Sequence, residues 1–255
     1  MLLAIDIGNT NVTLGVFEDA KLRATWRIAT KIRSMADEYG ILVVNLLRQQ
    51  GLEVDDVTKV SLCSVVPTLT VIFEELCQKY CRLSPLVIGA GVKTGVSIRM
   101  DNPREVGADR IVNAAAAHHL YGGPVIIADF GTATTFDTVS REGDYLGGAI
   151  APSISTGADA LFTRTAVLPR VELTRPKHAI GTNTVDAIRS GLVFGYVGLV
   201  EGIIARIQAE LDEKAKVVAT GGYADVIAKE TSAIEVINPD LTLIGLRLIY
   251  LMNRA

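Results

Sequence analysis

Two short stretches join a carboxylate to a turn of small residues, the combination that chemistry on a metal-bound phosphate needs. The first is Asp6-Ile7-Gly8-Asn9-Thr10-Asn11, reached through the apolar run Leu2-Leu3-Ala4-Ile5. A buried charge at the end of such a run is costly unless a metal, a cation or several donors compensate it. Gly8 permits a tight turn and puts no Cβ in a ligand's way, while Asn9, Thr10 and Asn11 bring amide and hydroxyl donors for an anion. Taken alone, a strand entering an ordinary Asx-type hairpin explains the segment equally well. The second stretch, Ile126-Ile127-Ala128-Asp129-Phe130-Gly131-Thr132-Ala133-Thr134, repeats the pattern 129 − 6 = 123 residues on, close to half of the 255-residue chain. Recurrence at that offset points to one internal duplication. Two similar halves facing each other would set both Asp-x-Gly turns across one cleft.

Three further groups could serve such a cleft. Gly107-Ala108-Asp109-Arg110 precedes an alanine-rich helix. Asp109 reads either as an N-cap or as a carboxylate that takes a proton from an attacking hydroxyl, and one residue can do both. Thr220-Gly221-Gly222-Tyr223 ends a strand and opens a helix; its bare backbone suits a flat base or ribose. Arg175, Lys177 and His178 form a basic loop segment. His118, His119 and His178 lack zinc-type spacing, and Cys63, Cys77 and Cys81 read as buried reduced thiols. There is no Walker sequence, no GxGxxG and no Ser/His/Asp arrangement.

The elements that must position these groups follow from apolar periodicity. Strands are expected at 12–17 and 22–28 after the opening run, an antiparallel meander, then a helix over 36–50 led by a cap at Ser34 and Asp37. A strand at 57–64, a helix at 68–80 and short strands at 86–88 and 96–98 complete the first half. Residues 100–109 are turn-rich and lead into a helix over 111–120. The halves are taken as 1–118 and 119–255. The second restarts with strands at 125–129, 134–139 and 144–150, then a helix at 153–163 and a loop over 169–183. A long helix over 184–211 carries Gly191, Gly195, Gly198 and Gly202 on one face. Those glycines fit either tight packing inside the protomer or a symmetric dimer seam. A strand at 216–220, a helix at 223–229, a strand at 234–237 and a helix at 240–252 close the chain.

With 49% apolar and 21% charged residues the chain is globular, and a net charge of −3 leaves no basic footprint for nucleic acid or an anionic membrane. The uncharged run between Arg189 and Glu201 has 11 residues, too short for a bilayer. Asp6 interrupts the first apolar run and no basic segment precedes it, which argues against a secretory leader.

Together the motifs resemble the type III pantothenate kinases, of the acetate and sugar kinase–Hsp70–actin superfamily. The resemblance rests on Asp6-Ile7-Gly8-Asn9-Thr10, on Asp101-Asn102-Pro103 with Gly107-Ala108-Asp109-Arg110, and on Asp129-Phe130-Gly131-Thr132-Ala133-Thr134. It continues through Gly147-Gly148-Ala149-Ile150 with Pro152 and Gly157, Gly181-Thr182-Asn183-Thr184 and Thr220-Gly221-Gly222, in family order. It implies an α/β fold of duplicated ribonuclease-H-like halves, each a mixed sheet with flanking helices. The activity implied is ATP-dependent phosphorylation of pantothenate to 4'-phosphopantothenate, the first step of coenzyme A synthesis.

By the same resemblance, Asp6, Ile7, Gly8, Asn9, Thr10, Asn11, Val12 and Thr13 hold the ATP phosphates. Asp6 faces Mg2+, directly or through water, and Thr132 contacts ATP; the turn reading adds Gly221 and Gly222. Asp109 is the base, and Gly107, Ala108, Asp109, Arg110 and Thr184 bind pantothenate. Asp129 holds a monovalent cation, K+ or NH4+, whose charge would stand in for a phosphate-binding lysine. A homodimer in the cytoplasm completes the expectation. Met100 stands where the family places a substrate-wall tyrosine. Two other readings stay open: a kinase of another small hydroxylated metabolite, and a nucleotide-binding regulator without turnover.

Overall fold

A computed structural model of the chain describes residues 1–254. Strand β1 (Leu2–Ile7) is apolar at every position but Asp6, the pattern of a strand covered on both faces. Leu3, Ile5 and Ile7 enter a core beneath helices α1 (Ala36–Gln49) and α2 (Pro67–Leu76). Leu2 and Ala4 enter a second cluster on the opposite face. Strands β2 (Asn11–Glu18) and β3 (Lys21–Ala29) continue as the expected antiparallel meander, turning at Asp19 with φ 52°. Strand β4 (Lys59–Ser64) lies parallel to β1, and β5 (Leu86–Val87) parallel to β4, giving the order β3-β2-β1-β4-β5.

Two local expectations shift. Helix α1 starts after Met35, whose N–H donates to Glu38 Oε2 at 2.8 Å, so the cap falls one residue beyond the Ser34–Asp37 frame. Asp37 instead accepts from the Tyr80 hydroxyl at 2.7 Å and pairs with Lys79 at 2.6 Å. Helix α2 ends at Leu76 and gives way to a wider π-type turn at Cys77–Cys81. That turn lays the Tyr80 ring against Gly40, where a Cβ would stand 2.3 Å from the ring.

The second sheet adds β6 (Ser97–Ile98) to β7 (Val125–Phe130), β8 (Ala133–Val139), β9 (Asp144–Pro152), β10 (Lys216–Gly221) and β11 (Val236–Ile237), in the order β11-β10-β7-β8-β9-β6. Without β6 this is the first sheet's order over again. The duplication extends to register: Asp6 stands opposite Thr13 and Cys63, and Asp129 opposite Thr135 and Thr220. A register shift falls between Val16 and Phe17 in one sheet and between Thr138 and Val139 in the other, 138 − 16 = 122 residues on.

The helices are α3 (Ala108–Tyr121), α4 (Ile154–Arg164), α5 (Thr184–Glu210), α6 (Ala224–Ala228) and α7 (Leu241–Met252). The chain divides into two compact units. One holds Met1–Val96, Asp101–Ala116 and α7; the other holds Ser97–Met100 and Ala117–Asp240. A cut at residue 118 would assign α7 to the second unit. It belongs to the first because Leu2, Ala4, Phe17 and Cys63 need cover on their face of the sheet, and Leu243, Leu246 and Ile249 supply it. Gly15 and Gly245 allow the approach: a Cβ at Gly15 would lie 2.8 Å from Leu243, and one at Gly245 2.3 Å from the Val112 carbonyl.

Helix α5 fills the second unit's core with Val193, Tyr196, Val197, Val200 and Ile204. By length and composition it could cross a membrane, yet here it serves as a core helix. Three glycines of its stripe are open among the described residues. A Cβ built at Gly191, Gly195 or Gly198 would meet nothing within 4 Å. At the fourth position of the stripe, a Cβ at Gly202 would lie 3.2 Å from Arg206 Nη1.

Candidate active site

In the first unit the chemistry-bearing residues collect at the carboxyl ends of the parallel strands β1 and β4, the end at which open α/β sheets bind ligands. Asp6 projects from the last turn of the pleat in β1, and Cys63 occupies the same register on β4. The Cys63 thiol donates to Asp6 Oδ1 at 3.2 Å. Burial pushes the Asp6 carboxyl from 3.8 up to about 6; the thiol's hydrogen bond and the charge of Arg27 oppose the rise, and the charge of Asp109 adds to it. Burial, with the charges of Asp6 and Asp109, drives the Cys63 thiol well above its usual range, so it stays protonated as a donor. This carboxylate is short of compensation, and a cation would supply it.

The turn beyond Asp6 is braced from β3. Gly8 N–H donates to Asn11 O at 3.0 Å, Thr30 N–H to Thr10 O at 2.9 Å, and the Thr30 hydroxyl to Gly8 O at 2.7 Å. Gly8 suits this turn, since a Cβ would sit 3.1 Å from Asn11 O, a tight approach. Asn9, Thr10 and Asn11 are exposed, and Thr13 shares the Asp6 face. Ile7 and Val12 are fully buried, so they can reach a ligand only through their backbone.

Asp109 lies in the first turn of α3, inside the helix and not at its N-cap. Its Oδ1 accepts from Arg110 N–H at 2.8 Å. The carboxylate folds back over Gly107, where a Cβ would stand 2.5 Å from Oδ1. Asp6 and Asp109 are close enough for each to feel the other's charge. Two carboxylates, one desolvated and one held at a helix N-terminus, are the division of labour expected of a metal tether and a base.

In the second unit, Asp129 ends β7 beside the bare backbone of Gly221, which has φ +90°. A Cβ there would lie 2.6 Å from Asp129 Oδ1 and 2.6 Å from the Phe130 carbonyl oxygen. The Asp129 carboxylate and the Phe130 carbonyl thus close against the Gly221 backbone, an approach that any side chain there would block. Thr132 and Gly222 are exposed in their turns. The Thr134 hydroxyl is engaged within the core by the Tyr196 hydroxyl. Thr184 opens α5 behind the Asn183 cap, whose side chain accepts from Asp186 N–H at 2.9 Å. It lines a groove of about 670 Å³ with Leu168, Gly181, Ile188 and Leu192. Met100 packs on Gly147, with its sulfur 2.7 Å from the position a Cβ would take there.

Cys63 and Arg27 do not stand out in the sequence as site residues. A strand pattern places Cys63 inside, but only the parallel pairing with β1 sets it against Asp6. The recurring spacing of the two halves is the one available signal, since Thr220 holds the matching position beside Asp129.

The duplicated halves, each with an Asp-x-Gly turn closing its first strand, form an actin-like α/β fold that sugar kinases share. An inorganic polyphosphate/ATP-glucomannokinase from Arthrobacter shares this fold, with TM-score 0.52 at 14% identity over 98% of both chains. The family model of the type III pantothenate kinases matches residues 2–206, and the chain belongs to that family. A type III pantothenate kinase of Dehalococcoides mccartyi is 56% identical over 254 residues, covering 100% of this chain and 98% of the relative. One from Moorella thermoacetica is 55% identical over 253 residues, covering 99% and 100%.

Proposed function

We propose that the protein transfers the γ-phosphoryl group of ATP to the primary hydroxyl of pantothenate, with Asp109 as the general base. The observation that carries the assignment is the pairing of Asp109, fixed over Gly107 in the first turn of α3, with the desolvated Asp6 nearby. Phosphoryl transfer calls for positioning and charge neutralisation more than for covalent chemistry. The turn from Asp6 to Thr13 holds the phosphates through exposed donors and backbone amides. Thr132, Gly221 and Gly222 keep their reading as nucleotide contacts, and Gly107, Ala108, Arg110 and Thr184 theirs as pantothenate contacts.

A kinase of this family uses a divalent metal with ATP, and Mg2+ suits Asp6. No cluster of three or more His, Cys, Asp or Glu exists among the described residues, and Mg2+ in nucleotide sites is held by one or two carboxylates plus phosphates and water. The metal neutralises phosphate charge when bound; Asp6 holds it and Asp109 takes the hydroxyl proton. The Asp129 carboxylate and the Phe130 carbonyl, brought together against Gly221, support a K+ or NH4+ site. The open glycines of α5 support a homodimer seam. Three free cysteines support residence in the reducing cytoplasm.

Purified protein with Mg-ATP, K+ and pantothenate is expected to yield 4'-phosphopantothenate. Asp109→Asn should retain ATP binding and lose about 10²-fold or more of turnover. Turnover near the wild-type rate in that variant removes Asp109 from the role of base.

A further inference from the structure

The register of the first sheet lines up four residues across four strands. Cys63 on β4 stands opposite Asp6 on β1, Asp6 opposite Thr13 on β2, and Thr13 opposite Arg27 on β3. Directly opposed residues share a face of the sheet. Arg27 therefore projects on the side of Asp6, Cys63 and Thr13, while Trp26 and Ile28, on the other face, pack against the core beneath α1 and α2. With strands about 4.8 Å apart, the Arg27 backbone lies about 10 Å from that of Asp6, a span that an extended arginine covers.

Three observations give this residue a task. The Arg27 side chain is exposed and forms no hydrogen bond or ion pair among the described residues, whereas Arg23 of the same strand is paired with Glu18. The strand end that carries it is fixed to the phosphate turn by both Thr30 bonds, three residues beyond. Its positive charge is felt at Asp6. The duplicated row shows that the fold itself does not need a cation there: Thr220, Asp129 and Thr135 repeat the first three positions, and Ile150 occupies the fourth.

We infer that Arg27 contacts the polyphosphate of the nucleotide held by the turn from Asp6 to Thr13, its guanidinium pairing with phosphate oxygens. The inference rests on that turn being the ATP site. Arginine presents a planar fork of donors to two phosphate oxygens, a geometry that lysine does not reproduce. It also brings fixed positive charge to that edge of the site.

The test compares wild type, Arg27→Gln and Arg27→Lys by calorimetric titration with a magnesium-bound, non-hydrolysable ATP analogue, with adenosine and with pantothenate. Arg27→Gln should bind the analogue about tenfold more weakly, the weight of one charge-assisted hydrogen bond, and Arg27→Lys should fall between. Adenosine and pantothenate affinities and the melting temperature should not move, because the side chain is exposed. In turnover, KM for ATP should rise while KM for pantothenate stays. Analogue binding unchanged in Arg27→Gln overturns the inference, as does an equal loss for adenosine, which would mark a structural defect. A wild type that binds the analogue but makes no phosphopantothenate refutes the pantothenate kinase reading and leaves the Arg27 comparison intact.

Discussion

Asp6 combines two demands that conflict in the ligand-free protein. Its place at the end of a buried strand puts it where a metal and phosphates can be gripped, and the same burial raises its pKa to about 6. In the fold the ionised form is the disfavoured one. Its cost is absent below about pH 4, grows as the pH rises from about 4 to 6, and levels off above that at no more than about 3 kcal/mol. Asp6→Asn should thus stabilise the ligand-free, metal-free protein at pH 8, with the gain fading as the pH falls toward 4, while Mg-ATP turnover is lost. Denaturant melts of both proteins across that range check it. Equal stability at pH 8 would mean that Cys63 and Arg27 already compensate the charge.

At the scale of elements, α5 presents two faces with opposite uses. One face supplies Val193, Val197 and Val200 to the core; the other is small and open along Gly191, Gly195 and Gly198. Glycine inside a helix costs up to about 1 kcal/mol relative to alanine, a cost that close approach by a second helix can offset. If that helix belongs to a second copy, Gly195→Leu should leave each protomer folded and weaken self-association. Sedimentation velocity across a concentration series reads the result, and a dimer as tight as wild type excludes this face as the seam. The turn after β10 makes a second element-scale prediction. Gly221→Ala puts a methyl group where Asp129 and the Phe130 carbonyl converge, so the variant should lose any response of ATP binding to K+ that the wild type shows over Na+. A wild type indifferent to the monovalent cation would remove the Asp129 assignment.

For the whole molecule, duplication explains both what the sequence discloses and what it hides. The repeated Asp-x-Gly turns, the three-strand meanders and the long α5 helix follow from local apolar periodicity and small-residue punctuation, and all are present within a few residues of expectation. Periodicity registers burial and turning but not partners. The cap at Met35, the π-type turn at Cys77–Cys81 and the assignment of α7 to the first unit are each decided by a side chain or face that needs cover from a distant segment. Asp109 was legible as a candidate from Gly107-Ala108-Asp109-Arg110; its carboxylate folded back over Gly107 was not.

The residue types that can grip a phosphate, a metal and a hydroxyl were written in the chain by itself, because each motif is contiguous and each needs only its neighbours to form its turn. Tertiary structure alone decided which of them act together. Strand register set Cys63, Thr13 and Arg27 in one row with Asp6, and helix packing brought Asp109 within reach of its charge. Hydrogen-bonded pairing between strands joins residues far apart in sequence, and no local pattern encodes which residue will stand opposite which.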